Sequence, residues 1–183
     1  SAMTAILCSK SFLFMAEGDQ SAERNTLNDW ELASRLSYLV WSTMPDDELL
    51  KVAQEGKLHN KDELQKQLAR LLADPRSERF TKSFPTQWLR LRKVGMFAPD
   101  KKIYPNYDRH LEKSIIEEPL AFFSQVLKQR LTLREFIDSD WTMVNPRLAE
   151  FYGLPPVSTD DFQRVSLKPE DKRGGLLTQA SVL

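Results

Sequence analysis

Residues 28–41 read Asn28-Asp29-Trp30-Glu31-Leu32-Ala33-Ser34-Arg35-Leu36-Ser37-Tyr38-Leu39-Val40-Trp41, and this stretch decides the fold class. Asn28 with Glu31 three positions on is a capping box, in which each side chain satisfies a backbone donor that the helix start leaves orphaned. Leu32, Leu36, Leu39 and Val40 follow at helical spacing on one face. Met44-Pro45 ends the run, because the residue before a proline is pushed out of the helical region. The same grammar repeats outward from this segment. Pro45-Asp46-Asp47-Glu48 opens a second helix with three acids at the positive end of its dipole, and Gly56 closes it. Asn60-Lys61-Asp62-Glu63 is a second box, ahead of Leu64, Leu68, Leu71 and Leu72 and a stop before Pro75.

Further along, Phe80, Phe84 and Trp88 form an i, i+4, i+8 aromatic stripe, which Pro85 interrupts with a kink or a helix start. Gly95 to Asn106 reads as a loop. The longest helix is predicted from Asp108 to Lys128, with Leu111, Ile115, Phe122, Val126 and Leu127 inward and a kink at Pro119. Thr132-Leu133-Arg134-Glu135 is a third capping box. Asp138 to Val144 is strand-like but too short to build a sheet alone, with Phe162 to Val165 as a second extended piece. Asn145-Pro146 and Gly153 bracket one more short helix. Ala5 to Glu17, closing near Gly18, is a helix before the polar linker 19–26, and Arg173 to Leu183 reads as the start of another. The expected fold is all-α: an irregular bundle of about seven or eight helices with at most a tiny two-stranded element. The expected division is an N-terminal helix and linker over 1–27, a helical domain over 28–172, and the truncated start of a next domain over 173–183. Ser1-Ala2 and the abrupt end at Leu183 read as the edges of a piece of something longer.

A chain of 183 residues can bury a real core without staples. Lys and Arg number 26, as do Asp and Glu, and residues 1–92 hold 13 of each. No basic arm is present, so electrostatic binding of nucleic acid is not expected. No apolar run approaches the roughly 20 residues of a membrane span, and no signal-peptide pattern is legible at the start. Cys8 is the one cysteine, so no internal disulfide can form; its apolar surroundings predict a small buried side chain.

Specific catalytic motifs are missing. There is no GxGxxG, Walker A, HExxH, GxSxG or CxxC pattern. His59 and His110 stand far apart, so no metal site is expected, and His110 reads as solvent-facing. No catalytic residue is assigned. Carboxylate pairs are the residue type that glycoside hydrolysis would need. Glu117 and Glu118 point about 100° apart on a helix; Glu118, beside Pro119, either lines a groove or belongs to a solvated face. Asp138 and Asp140, two apart, share one side of an extended segment or cap turns around Trp141. Trp141 and the Tyr104–Tyr107 loop are candidates for stacking on sugar rings, whereas Trp41 and Trp88 lie on apolar faces suited to a core. Arg173-Gly174-Gly175 is either an anion site at a helix start or a flexible joint.

Several strings, in order, carry a resemblance. They are residues 33–41 (ASRLSYLVW) with 44–50 (MPDDELL), Leu72-Ala73-Asp74-Pro75-Arg76 with Gln87-Trp88-Leu89, and Asp140-Trp141-Thr142 with Asn145, 147–149 (RLA) and 151–153 (FYG). The last is 173–183 (RGGLLTQASVL). Together they resemble the planctomycete-type cytochrome c domain proteins, in their central domain of unknown function and the entry to the next one. The chain departs from that pattern at Pro85, Pro119 and Pro146. The resemblance implies a large exported (periplasmic) protein with a c-type haem on a CxxCH motif elsewhere; this chain has no such motif and is expected to hold no cofactor itself. It carries over no catalytic residue. Two functions follow as expectations. One is a non-catalytic scaffold that packs the haem domain against neighbouring domains or a redox partner. The other is part of an enzyme or sugar-binding unit acting on extracellular polysaccharide, with Trp141, Tyr104, Tyr107, Glu118, Asp138 and Asp140 as its site.

Overall fold

The computed structural model describes residues 2–13, 26–96 and 99–182. The chain divides into two units, Ser1–Phe80 and Thr81–Leu183. The fold is all-α with one small antiparallel sheet. Among the described residues, no helix is long and apolar enough to cross a membrane.

The first unit is built on α3 (Asp29–Trp41), α4 (Asp47–Gln54) and α5 (Lys61–Ala73). The Asn28 box forms in full: Asn28 Oδ1 accepts from the Glu31 amide at 2.9 Å, and the Asn28 amide donates to Glu31 Oε2 at 2.8 Å. Asp46 caps α4, its side chain accepting from the Leu49 amide. Asn60 caps α5, but only half of its box closes, because the Glu63 carboxylate accepts from Gln67 Nε2 instead. Ala33, Val40, Trp41, Leu49, Ala53, Leu58 and Leu71 form the core. The Trp41 indole donates to the Leu71 carbonyl, and the Arg76 guanidinium lies 3.5 Å above its ring. Trp30, on the outer face of α3, is half exposed.

Ahead of this core, α1 (Ala2–Leu7) and α2 (Lys10–Leu13) replace the single predicted helix. Its continuation to Glu17, its stop at Gly18 and the linker over 19–25 lie outside the described residues. Cys8 is exposed rather than buried, because α1 buries no side chain.

In the second unit, α6 (Glu78–Trp88), which begins in the first, leads to α7 (Arg109–Lys128) and α8 (Pro146–Tyr152). α6 and α7 both run through their prolines, Pro85 and Pro119. In α7 eight buried positions offset the lost backbone bond, since packing rather than any one hydrogen bond holds a helix in a protein. Strand β1 (Trp141–Val144) pairs antiparallel with β2 (Gln163–Ser166), Trp141 opposite Ser166 and Val144 opposite Gln163. β1 is buried on both faces and divides the core. Trp141 and Met143 join Phe122, Val126 and Leu176; Val144 joins Leu111, Ile115 and Leu148.

Two predicted helix starts form only as 3-10 turns. Thr132 makes no capping bond, and Leu133–Phe136 is a 3-10 turn, because the Glu135 carboxylate accepts from the Trp141 indole at 2.7 Å. After Arg173 there is no α-helix among the described residues, only the 3-10 turn Leu176–Thr178. Gly174 and Gly175 press onto the chain at Ile137–Ser139, where a Cβ on Gly175 would sit 2.6 Å from the Ile137 carbonyl.

Candidate functional site

Glu118 is the focus of the second unit. Leu111, Ile115, Phe122 and Val126 mark the buried stripe of α7, and Glu118 falls in phase with them. Its side chain therefore enters the core at a position where an apolar residue belongs, 1% exposed. Two hydroxyls meet it. Tyr152, at the end of α8, donates to Oε2 at 2.6 Å, and Thr142, in β1, donates to Oε1 at 3.1 Å. Tyr152 is held in turn by the C-terminal segment. The Ala180 amide donates to its hydroxyl oxygen at 3.0 Å, and the Arg173 guanidinium covers its ring at 3.6 Å. One helical turn before Glu118, Asn145 Nδ2 donates to Ser114 Oγ, while Asn145 Oδ1 caps α8 by accepting from the Leu148 amide.

Burial pushes Glu118 up to about 7, against the pull of the Tyr152 and Thr142 hydrogen bonds and the Arg173 charge. Burial and the same carboxyl push Tyr152 up as well. Glu118 is thus a proton-binding group near neutrality, linked through a tyrosine to a backbone amide. Among the described residues, both amide atoms of the buried Gln179 and the buried Ser181 hydroxyl meet no protein partner.

The other five candidates do not gather around Glu118. Trp141 lies next to Thr142 in β1, but its side chain turns to the opposite core. It is 1% exposed, stacked on Phe122 with ring centres 4.3 Å apart, and Arg164 lies 4.4 Å over its ring. Those neighbours leave no face for a sugar, which corrects its expected surface position. Tyr104 is exposed in a turn. Tyr107 is half buried and donates to Glu112 Oε2 at 3.2 Å. Asp138 is exposed beside Arg134, and Asp140 is exposed at the head of β1, where its carbonyl accepts from the Leu167 amide. The pair at 138 and 140 therefore faces solvent outside the core. Of the two core tryptophans expected, Trp41 is buried and Trp88 is 51% exposed.

Nor is Arg173-Gly174-Gly175 an anion cradle. The Gly174 amide donates to Thr178 Oγ1, the Gly175 amide to Ser139 Oγ, and Arg173 to the Thr178 carbonyl. The His110 side chain is exposed, as expected. Among the described residues, no group of three or more His, Cys, Asp or Glu could hold a metal ion.

The family model described as PSD4, Protein of unknown function (DUF1592), matches residues 27–154. The chain belongs to that family. No curated protein and no solved structure matches it. The DUF1592 match takes in the Asn28 box at one end and Glu118, Thr142 and Tyr152 at the other. It stops before β2 and the segment that carries Arg173 and Ala180, so the outer half of the Glu118 network lies beyond it.

Proposed function

We propose that this DUF1592 chain is a non-catalytic helical interaction module of a large exported, haem-associated multidomain protein. In this reading the c-type haem is carried elsewhere in that protein, and the module packs against neighbouring domains or a redox partner. The resemblance quoted above supports the setting. One observation supports the contact role: an apolar face on the second unit left in water. Phe84 and Trp88 stack at 5.8 Å, and Trp88 meets Phe136 edge-on at 6.0 Å. Leu133 and Ile137, on either side of Phe136 in the chain, are 79% and 69% exposed. Large apolar groups exposed together mark contact surfaces, and tryptophan is a frequent anchor in them. The polysaccharide reading draws on Trp141, Tyr104, Tyr107 and the nearby acids, and of these Trp141 is buried.

The test belongs to the full-length protein, made in a host that attaches c-type haem. Trp88→Ser with Leu133→Asp should speed proteolysis at the edges of the module and weaken capture of the redox partner. Excision of the region over 28–183 should do more, and should change the haem's redox behaviour. If both proteins keep wild-type proteolysis, partner capture and haem potential, the module reading fails.

A further inference from the structure

We propose that the segment 173–182 is a proton-controlled latch, docked on α7 and α8 through the Glu118–Tyr152–Ala180 chain of hydrogen bonds and loosened when Glu118 gives up its proton to water. The segment has other ties to the second unit, among them the close approach of Gly174 and Gly175 to 137–139 and the Arg173 guanidinium over the Tyr152 ring. Leu176 enters the core, Ala180 packs on the Leu111 cluster, and the Gly175 amide reaches Ser139. Among the described residues, the segment's buried Gln179 amide and Ser181 hydroxyl meet no protein hydrogen-bond partner.

The groups facing Glu118 set the direction. From α8 comes Tyr152, from β1 only the uncharged Thr142, and from the segment itself the Arg173 guanidinium. Within α7, Glu117 turns away to Lys113. Both hydroxyls can donate or accept, so the hydrogen bonds survive either protonation state. The charge does not fare equally: burial outweighs Arg173, and the docked state favours the protonated carboxyl. Loosening the segment lets water reach Glu118 and removes that preference. Low pH holds the latch and rising pH releases it, up to the value of about 7 at which the docked carboxyl ionises.

Amide hydrogen exchange of the complete 183-residue chain, corrected for intrinsic rates, reads this directly. Protection at Gly175 and Ala180 should fall by up to roughly 30-fold between pH 5.5 and 8.5, with the fall complete slightly above pH 7. At every pH it should stay below the protection of Val144, whose amide faces Gln163 of β2 in the ladder. Glu118→Gln should keep the segment docked and flatten the profile. Tyr152→Phe, which cuts the link to Ala180, should lower protection at all pH values. Equal protection at Ala180 and Val144 would overturn the proposal, because the segment would then leave only when the unit unfolds. A wild-type profile that does not change with pH would also overturn it, as would an unchanged slope in Glu118→Gln. Should Glu118→Gln fail to fold, the wild-type Glu118 carboxyl carbon is followed by NMR; ionisation away from the pH at which Ala180 protection levels off would overturn it equally.

Discussion

Buried at a core position of α7, Glu118 binds its proton more tightly in the folded chain than in the unfolded one. Its contribution to stability is therefore complete below pH 4.5, the value of a free glutamate, and is lost as pH rises through about 7. The amount at stake is roughly 3 kcal/mol. Urea denaturation should find Glu118→Gln close to wild type near pH 5 and more stable above pH 8; parallel pH profiles for the two proteins would contradict the assignment. Glycines offer a second residue-scale contrast. Gly175 has φ +66° and no room for a Cβ, whereas Gly153 has φ +69° and open space. Gly175→Ala should cost about 3 kcal/mol and Gly153→Ala about 1 kcal/mol. Chemical denaturation distinguishes them, and equal losses would show that the close approach at Ile137 carries no weight. Glu118 was expected to line a groove or belong to a solvated face and is buried instead; the signal for burial was its helical phase with Leu111, Ile115 and Phe122. Its partners carried no such signal: Thr142 and Tyr152 lie 24 and 34 residues away, and only the folded chain brings them together.

Helix caps were the most legible elements, since their partners sit two or three residues apart. Asn28, Asn60 and Asn145 all cap as their spacing implies. Thr132 makes no side-chain capping bond, and the Glu135 carboxylate of its box accepts from the Trp141 indole six residues on. This difference can be measured. Asn28→Ala should cost about 1 kcal/mol, and Thr132→Ala should stay within about 0.5 kcal/mol of wild type. Asn145→Ala should cost about 2 kcal/mol, because it uncaps α8 and also removes the buried bond to Ser114 Oγ, whose hydroxyl keeps its own donation to the His110 carbonyl. A Thr132→Ala loss as large as that of Asn28→Ala would mean that the box forms after all. The segment after Arg173 misled for another reason. Its composition suits a helix start, but Gly174 and Gly175 serve a close backbone approach instead.

Over the whole molecule, the helical class followed from many local signals that agreed, as natural sequences tend to do. The division at Phe80 was not legible, because it falls near the start of α6 without a glycine, proline or change in composition to mark it. Charge offers a prediction at this scale. With 26 basic and 26 acidic residues and an isoelectric point near 6.7, the chain has little self-repulsion at neutral pH. Its exposed apolar face should make it least soluble close to that value. Light scattering from pH 5 to 9 should peak near 6.7 and fall on either side; a flat trace would mean that the apolar face is not available for association.

The placement of the four tryptophans has an optical consequence. Each unit holds one indole shielded from water, Trp41 or Trp141, and one half open to it, Trp30 or Trp88. The native chain should therefore emit as two populations, and a neutral quencher such as acrylamide should reach only two of the four rings. Replacing Trp30 and Trp88 with phenylalanine would leave one shielded lamp per unit, and the order in which the two dim on heating would reveal which unit opens first.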